Sequence, residues 1–567
     1  MKFFIFIFST FCSLVISFFL LLFFKDILLN NTFQVPHIKI IQSIVSNEQL
    51  WNLIKPLFIS SLFISNFFIS HFVIRKIFKT QNNSLISTIP DFGLFIGKDL
   101  NNNNIYIPEK SMYQNILIVG SIGSGKTSSA MYPFTKQLIK YKSDNSKEKL
   151  SFLILDVKGN YYSKVLDFAK EFNRVDDVIV IEYGGVFKYN PLDKPDLKAS
   201  VLANRLKTIM LLFSPNNTES YWLDKVEQVL ESCIVLLRAA YNGYFTFYEV
   251  NKLVCDKDYY TIIKDLIRTN FRNGLYDAGQ CYAIYHSFEF LDSDYYSLDD
   301  RTYNLLKSEI TRITNCFVSN YKVKQTFCPS KVEENFYGFD DVLENGKIVV
   351  LNMNVAEYKN LAKIIAAYLK LDFQTDVLKQ LSKKSGKNIR PSVFISDEYQ
   401  EYVTSSDADF YSQSRESKCI NIVSTQSYTS ILNTIKDQSS TKVIIQNLVN
   451  KLCFRTDDIF TIEDLQKQIG KEEKKKVSKT YSESSKESKY DVIHKNFISS
   501  QGNISESVNT FYQNDYVFDS NFFTQTLKSF QCLGFLSTGD EILKPQQLQM
   551  IPYFKEDSKN EKTQINY

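Results

Sequence analysis

The segment Ile116-Leu117-Ile118-Val119-Gly120-Ser121-Ile122-Gly123-Ser124-Gly125-Lys126-Thr127 constrains this chain more than any other stretch. An apolar, β-branched run stops at Gly120, a G-x-x-x-x-G-K-T follows, and helix-forming sequence continues beyond it. This is the Walker A order of strand, loop and helix. The backbone N–H groups of Gly120, Ser121, Ile122, Gly123, Ser124 and Gly125 can turn inward there and cradle phosphate oxygens at a helix N-terminus. Lys126 can then reach the β- and γ-phosphates, and the Thr127 hydroxyl can ligate Mg²⁺. A chance Gly/Ser loop would lack the strand before and the helix after. The expectation is a chain that binds a nucleoside triphosphate.

The N-terminus is the second constraint. Residues Phe3–Phe24 carry no charge and are long enough to cross a bilayer. Leu57–Ile74 is a shorter second candidate that includes Asn66 and His71. Lys2 invites a signal-peptide reading, but the apolar run exceeds the usual signal core and no small-x-small site follows it. Lys2 before the first span and Arg75, Lys76 and Lys79 after the second place both ends in the cytoplasm, with residues 25–55 outside. A two-pass protein of the inner (cytoplasmic) membrane is expected, its bulk and its P-loop facing cytosolic ATP.

Composition narrows the rest. At 567 residues the chain exceeds one compact domain, so an anchor plus two or more soluble parts is expected. A net charge of +4 gives no global case for nucleic-acid binding, so any basic surface must be local. Nine cysteines without a C-x-x-C pair fit reduced cytosolic thiols rather than zinc or disulfides, and four histidines make a His-based metal site improbable.

Strand-like and helical stretches alternate through the soluble part. Ser151–Asp156 reads as a buried parallel strand ending in a carboxylate, and Val178–Glu182 as another, before Gly184-Gly185 and the turn Tyr189-Asn190-Pro191-Leu192-Asp193. Helical spacing (Val226, Val229, Leu230, Cys233, Leu237) then dominates until strands resume at Lys347–Asn352, Ser392–Asp397, Ile420–Ser424 and Lys451–Arg455. Lys471 to about Ser505 is rich in Lys, Glu and Ser and is expected as a solvated loop or extended hairpin. The expected division is a transmembrane anchor at 1–80 and a nucleotide-binding domain at 81–199 and 336–470, interrupted by an all-α insertion at 200–335. A flexible loop and the end of the nucleotide-binding domain occupy 471–554, and a disordered tail 555–567.

A Walker A loop requires an apolar strand ending in an acid. Val393-Phe394-Ile395-Ser396-Asp397-Glu398 fits, with Asp397 holding Mg²⁺ and Glu398 polarising the attacking water. Asp156 also ends a strand, but Lys158-Gly159 follows it, which suits a helper position beside the phosphates. Gln426, at the end of the next strand, can contact the γ-phosphate or the water. Arg415 is by spacing alone an ordinary surface charge, and in a ring-forming ATPase it could serve as an arginine finger.

The set resembles the TraG/TraD-type conjugative coupling proteins of type IV secretion systems, within the group that includes the FtsK and HerA translocases. The resembling elements are the two spans, Gly120–Thr127, Leu155-Asp156-Val157-Lys158-Gly159, Tyr189-Asn190-Pro191-Leu192, Ser220-Tyr221-Trp222-Leu223-Asp224, Phe394–Tyr399, Ser414-Arg415-Glu416, Val423–Ser427 and Cys453–Asp458. The resemblance implies a RecA-like P-loop ATPase core, α/β in class, with an inserted all-α domain and a two-helix anchor. It further implies ATP and Mg²⁺ as ligands and a hexameric ring of this chain, with DNA (single-stranded, sequence-independent), relaxase and relaxosome proteins, secretion-channel components and the membrane as partners. Two positions depart from the family: Glu416 follows Arg415 where Lys or Gly is usual, and Tyr428–Leu432 replaces a Gln-Leu. An FtsK-like partition translocase, or a recruitment protein that binds ATP with little turnover, are the alternative readings.

Overall fold

The computed structural model describes residues 91–213, 220–384, 389–484, 489–491, 496–498 and 503–555, with isolated positions between 43 and 68. The chain divides into two units, Met1–Ile89 and Pro90–Tyr567. The first expected span, 3–24, lies outside the described residues, and of the second, 57–74, only isolated helical positions are described. Among the described residues no helix is long and apolar enough to cross a membrane, so the anchor rests on sequence alone. The expected tail beyond 555 also lies outside them.

The second unit is built on one eleven-stranded sheet. Its strands are β1 Gly93–Asp99, β2 Asn104–Pro108, β3 Ile116–Val119, β4 Ser151–Leu155, β5 Val178–Glu182, β6 Ile348–Asn352, β7 Ser392–Ser396, β8 Cys419–Thr425 and β9 Asn450–Phe454. A separate ribbon follows, β10 Lys471–Ser484 paired with β13 Asn503–Tyr516, enclosing the short pair β11 Lys489–Asp491 and β12 Asn496–Ile498. The chain then returns to the main sheet as β14 Gln531–Phe535 and β15 Gln546–Gln549.

The order β2-β1-β15-β14-β9-β3-β8-β7-β4-β6-β5 contains seven mutually parallel strands, from β9 to β5, and an antiparallel extension at one edge. β3, β4, β7, β8 and β9 are buried along their whole length, which is why they read as near-continuous apolar runs rather than alternations. All seven parallel strands end at the same edge of the sheet, where ligands of such folds gather. The antiparallel extension was not anticipated. Its edge strands β1, β2 and β15 are only partly buried, and β1 is broken by a register shift between Phe95 and Gly97.

Between β5 and β6 the described chain is helical, from Ala199–Leu211 to Phe339–Asn345. Val226, Val229, Leu230, Cys233 and Leu237 form one buried stripe of helix Ser220–Ala240. Side-chain caps set several of the starts, among them Thr246 with Glu249 and Asp277 with Gln280 as reciprocal boxes.

The helix Asn360–Lys384 carries polar residues into the core. Asp372 accepts ion pairs from Lys194 at 2.7 Å and Arg205 at 2.9 Å, and a hydrogen bond from the Tyr189 hydroxyl at 2.6 Å, which ties the Asn-Pro-Leu turn to this helix. Two residues before it Lys370, fully buried, donates to Asp407 at 2.6 Å and to the Tyr402 carbonyl at 2.7 Å. Asp407 also accepts from the Tyr399 hydroxyl at 2.6 Å and the Thr404 N–H at 3.0 Å. Removing one partner of a buried pair strands the other charge without solvation. Asp407→Ala is therefore expected to destabilise the protein by about 3–5 kcal/mol, read as a lowered midpoint in urea unfolding.

Candidate nucleotide site

The phosphate loop starts where β3 ends and is held from behind by the turn after β9 and by Phe530, the residue before β14. The Ser121 N–H donates to the Arg455 carbonyl at 2.8 Å, the Ser121 hydroxyl to Asp457 at 3.1 Å, and the Phe530 N–H to the Ser124 carbonyl at 3.0 Å. Gly125 sits at φ +100°, and a Cβ there would meet the Phe530 ring at 2.5 Å. Conformation and space both demand glycine. At the loop's tip Ile122 is exposed. The first helical turn after the loop, Thr127–Met131, is π-type, with the Tyr132 N–H reaching back to the Thr127 carbonyl. Its free N–H groups and dipole face the loop, the standard arrangement for an anion.

Lys126 is nearly buried and folds back to donate to the Gly120 and Ser121 carbonyls. Burial pushes its ammonium pKa down, and the carboxylates of Glu398 and Asp397 oppose that shift. The Thr127 hydroxyl donates to Asp397 Oδ2 at 3.1 Å. Asp397 itself is 2% exposed, and burial, with the charges of Asp156 and Glu398 beside it, raises its pKa. A buried carboxylate under like-charge pressure, one hydrogen bond from a hydroxyl, is a hard-oxygen pair suited to Mg²⁺, which takes one or two protein oxygens and completes its shell with phosphates and water.

Glu398 leaves β7 in the left-handed region, at φ +51° and ψ +50°, a conformation that costs a non-glycine residue roughly 1–3 kcal/mol. Its Oε2 accepts from Gln400 Nε2 at 2.8 Å and from Gln426 Nε2 at 3.2 Å. Its Oε1 lies 3.7 Å from Lys158 Nζ. Gln400 is fixed in turn by the Thr425 hydroxyl, which donates to its Oε1 at 2.9 Å.

The structure thus gathers Gly120–Thr127, Asp397, Glu398 and Gln426 at one edge of the sheet. Asp156 lies beside Asp397 at this edge; buried, it accepts from the backbone N–H groups of Lys158, Asn160 and Tyr161 at 3.1 Å each, so it builds the turn. Arg415 stands apart from the other site residues. It is exposed, in the turn that precedes β8, and the seven residues of β8 separate it by roughly 20 Å from the edge that holds its own chain's P-loop. Sequence reasoning assigned no role to Lys158, Gln400, Asp457 or Phe530. The D-x-K-G spacing was the one available signal for Lys158.

Residues 391–510 match the family described as the TraM recognition site of TraD and TraG. No curated protein matches the chain in sequence. The bacterial conjugative coupling protein TrwBdeltaN70, in an unbound form, superposes with a TM-score of 0.52 at 10% identity, covering 79% of this chain and 86% of that one. TrwB in complex with the non-hydrolysable GTP analogue GDPNP gives 0.51 at 10% identity, over 83% and 96%. TrwB with the ATP analogue ADPNP gives 0.50 at 11% identity, over 79% and 87%. At these identities the likeness is one of fold, an α/β core with a large, mostly parallel sheet.

Asp397→Asn separates the site's charge tension from its function. A carboxyl whose folded pKa is raised weakens the fold as pH climbs through its ordinary range, and the burden persists at neutral pH. The substitution is expected to raise the thermal midpoint of the nucleotide-free protein at pH 7 and to abolish the further rise given by Mg²⁺ with nucleotide. Differential scanning fluorimetry reads both. Residues 391–510 are thus similar to the TraM recognition site of TraD and TraG, and the chain shares the fold of TrwB.

Proposed function

We propose that this protein is a membrane-anchored ATPase that couples a DNA–relaxase substrate to a type IV secretion channel in conjugative transfer. The observation that carries the ATPase reading is the single cluster in which Thr127 contacts Asp397 while Glu398 is gripped by Gln426. A nucleotide-binding protein without turnover has no use for a second acid held in a strained backbone beside the first.

The loop N–H groups and Lys126 would hold the β- and γ-phosphates, and Thr127 and Asp397 would hold Mg²⁺, which would supply charge neutralisation to the phosphates. Glu398 orients the water and takes its proton. The water oxygen bonds to the γ-phosphorus as the bond to the bridging oxygen breaks, and that electron pair leaves on ADP. Gln426 links the same event to β8. In a ring of copies under the inner membrane, Arg415 serves the neighbouring copy's γ-phosphate. The matched segment, which runs from β7 into the ribbon of β10 and β13, offers a relaxosome partner an exposed surface. Two N-terminal spans would keep the ATPase at the channel's cytoplasmic side.

Glu398→Gln should keep nucleotide affinity and lower kcat by about 100-fold or more, whereas Lys126→Ala should lose nucleotide binding. Steady-state hydrolysis with a parallel binding titration checks both, and unchanged turnover in Glu398→Gln would sink the assignment.

Arg415 is tested by mixing. Arg415→Ala subunits alone should bind ATP and hydrolyse it poorly. Combined with Lys126→Ala subunits in rings shown to co-assemble, they should regain activity, because at one class of interface an intact loop meets an intact arginine. A co-assembled mixture as inactive as either parent refutes the role.

A further inference from the structure

Two ammonium groups, not one, face the acids of this site. Asp156 fixes the turn after β4 through three backbone N–H groups, and Gly159, at φ +69°, packs where a Cβ would lie 3.0 Å from the Asn354 N atom. The turn is therefore rigid, and it delivers the Lys158 side chain to the carboxyl end of the strand beside β7. Lys158 Nζ lies 3.7 Å from Glu398 Oε1, and its side chain is 56% exposed while that of Glu398 is 12% exposed. Its charge also acts on Lys126 and on Asp397. A half-exposed lysine that merely decorated the surface would have no need of a buried aspartate and a left-handed glycine to aim it.

In this arrangement Glu398 is occupied on both oxygens, by Lys158 on one and by Gln400 and Gln426 on the other. A carboxylate so engaged is a poor partner for water. A bound triphosphate would offer Lys158 a more highly charged oxygen.

We propose that Lys158 is a further catalytic residue of the nucleotide site, exchanging Glu398 for a γ-phosphate oxygen when a nucleoside triphosphate binds. The exchange does two things at once. It places a second cation, beside Lys126, on the group where charge redistributes during transfer, and it frees one Glu398 oxygen to accept the water's proton. No covalent bond to Lys158 forms. Gln400 and Gln426 keep the other oxygen fixed, so the freed one points into the site.

The inference rests on the ATPase reading above, and the experiment separates the two. In the full-length protein, Lys158→Gln and Lys158→Arg are compared with wild type for Mg²⁺-dependent affinity toward ADPNP and ADP and for steady-state kcat. Lys158→Gln should bind ADP within twofold of wild type, lose about tenfold in ADPNP affinity, and lose about 100-fold in kcat. Lys158→Arg, which keeps the charge, should recover part of both. Because the side chain is half exposed, neither change opens a cavity. An ADPNP-to-ADP affinity ratio for Lys158→Gln within twofold of wild type overturns the proposal. Equal loss of ADP binding also overturns it, by placing the lysine in the general phosphate cradle. A wild-type protein without turnover fails the ATPase reading alone, since the affinity ratio still decides the contact.

Discussion

The pairing of β4 with β7 is the constraint on which the site depends. Their parallel register sets Leu155 against Ser396, so the next residues along, Asp156 and Asp397, emerge side by side at the edge of the sheet. Neighbouring strands lie about 4.8 Å apart, and two carboxylates at that spacing repel. The protein resolves the conflict by giving them different work. Asp156 spends its oxygens on three backbone N–H groups and disappears into a turn, while Asp397 keeps one oxygen toward Thr127 and remains short of positive charge. In the proposed function that shortage would be met by the divalent cation that a nucleotide brings.

Glu398 adds a third acid and a strained backbone to the same corner. A left-handed glutamate persists only where its surroundings over-determine it. Here Tyr399, the next residue, is pinned through its hydroxyl to Asp407, which is pinned to Lys370, and Lys370 also holds the Tyr402 carbonyl. The buried pair is thus more than a stability element. It is the frame that holds the turn carrying Glu398 and Gln400, so the cost of burying two charges supports an alignment at the sheet edge.

What could be read from the sequence follows from how each feature is encoded. β3, β4, β7, β8 and β9 were legible because strands covered on both faces are continuously apolar, and the loop after β3 because phosphate binding fixes residue types at fixed spacing. Asp397, Glu398 and Gln426 were legible as residues that end such strands. Lys158, Gln400 and Phe530 were not, since their relevance arises from strand order and from loops meeting across 25 to several hundred residues of chain. The antiparallel extension was missed for a related reason. Its short strands bury only parts of themselves, and only the finished sheet shows that Phe530 backs the phosphate loop. The long ribbon of β10 and β13 was expected as a loop or hairpin, because alternating Lys, Glu and Ser mark solvent exposure without distinguishing the two.

Charge balance at the site leads to its last structural consequence. Lys126 and Lys158 meet Asp156, Asp397 and Glu398, two cations against three anions, before any ligand arrives. A triphosphate adds roughly four negative charges and its Mg²⁺ returns only two, so the loaded site carries a surplus of negative charge where the γ-phosphate must depart. Low dielectric at a half-buried edge magnifies that surplus. Arg415, which has no route to its own chain's phosphates, presents an exposed guanidinium from the opposite end of β8. In the proposed ring that geometry becomes an advantage. If the ring forms as proposed, each nucleotide would gain its missing positive charge only from a neighbouring copy, and hydrolysis at one site would then depend on the position of the next.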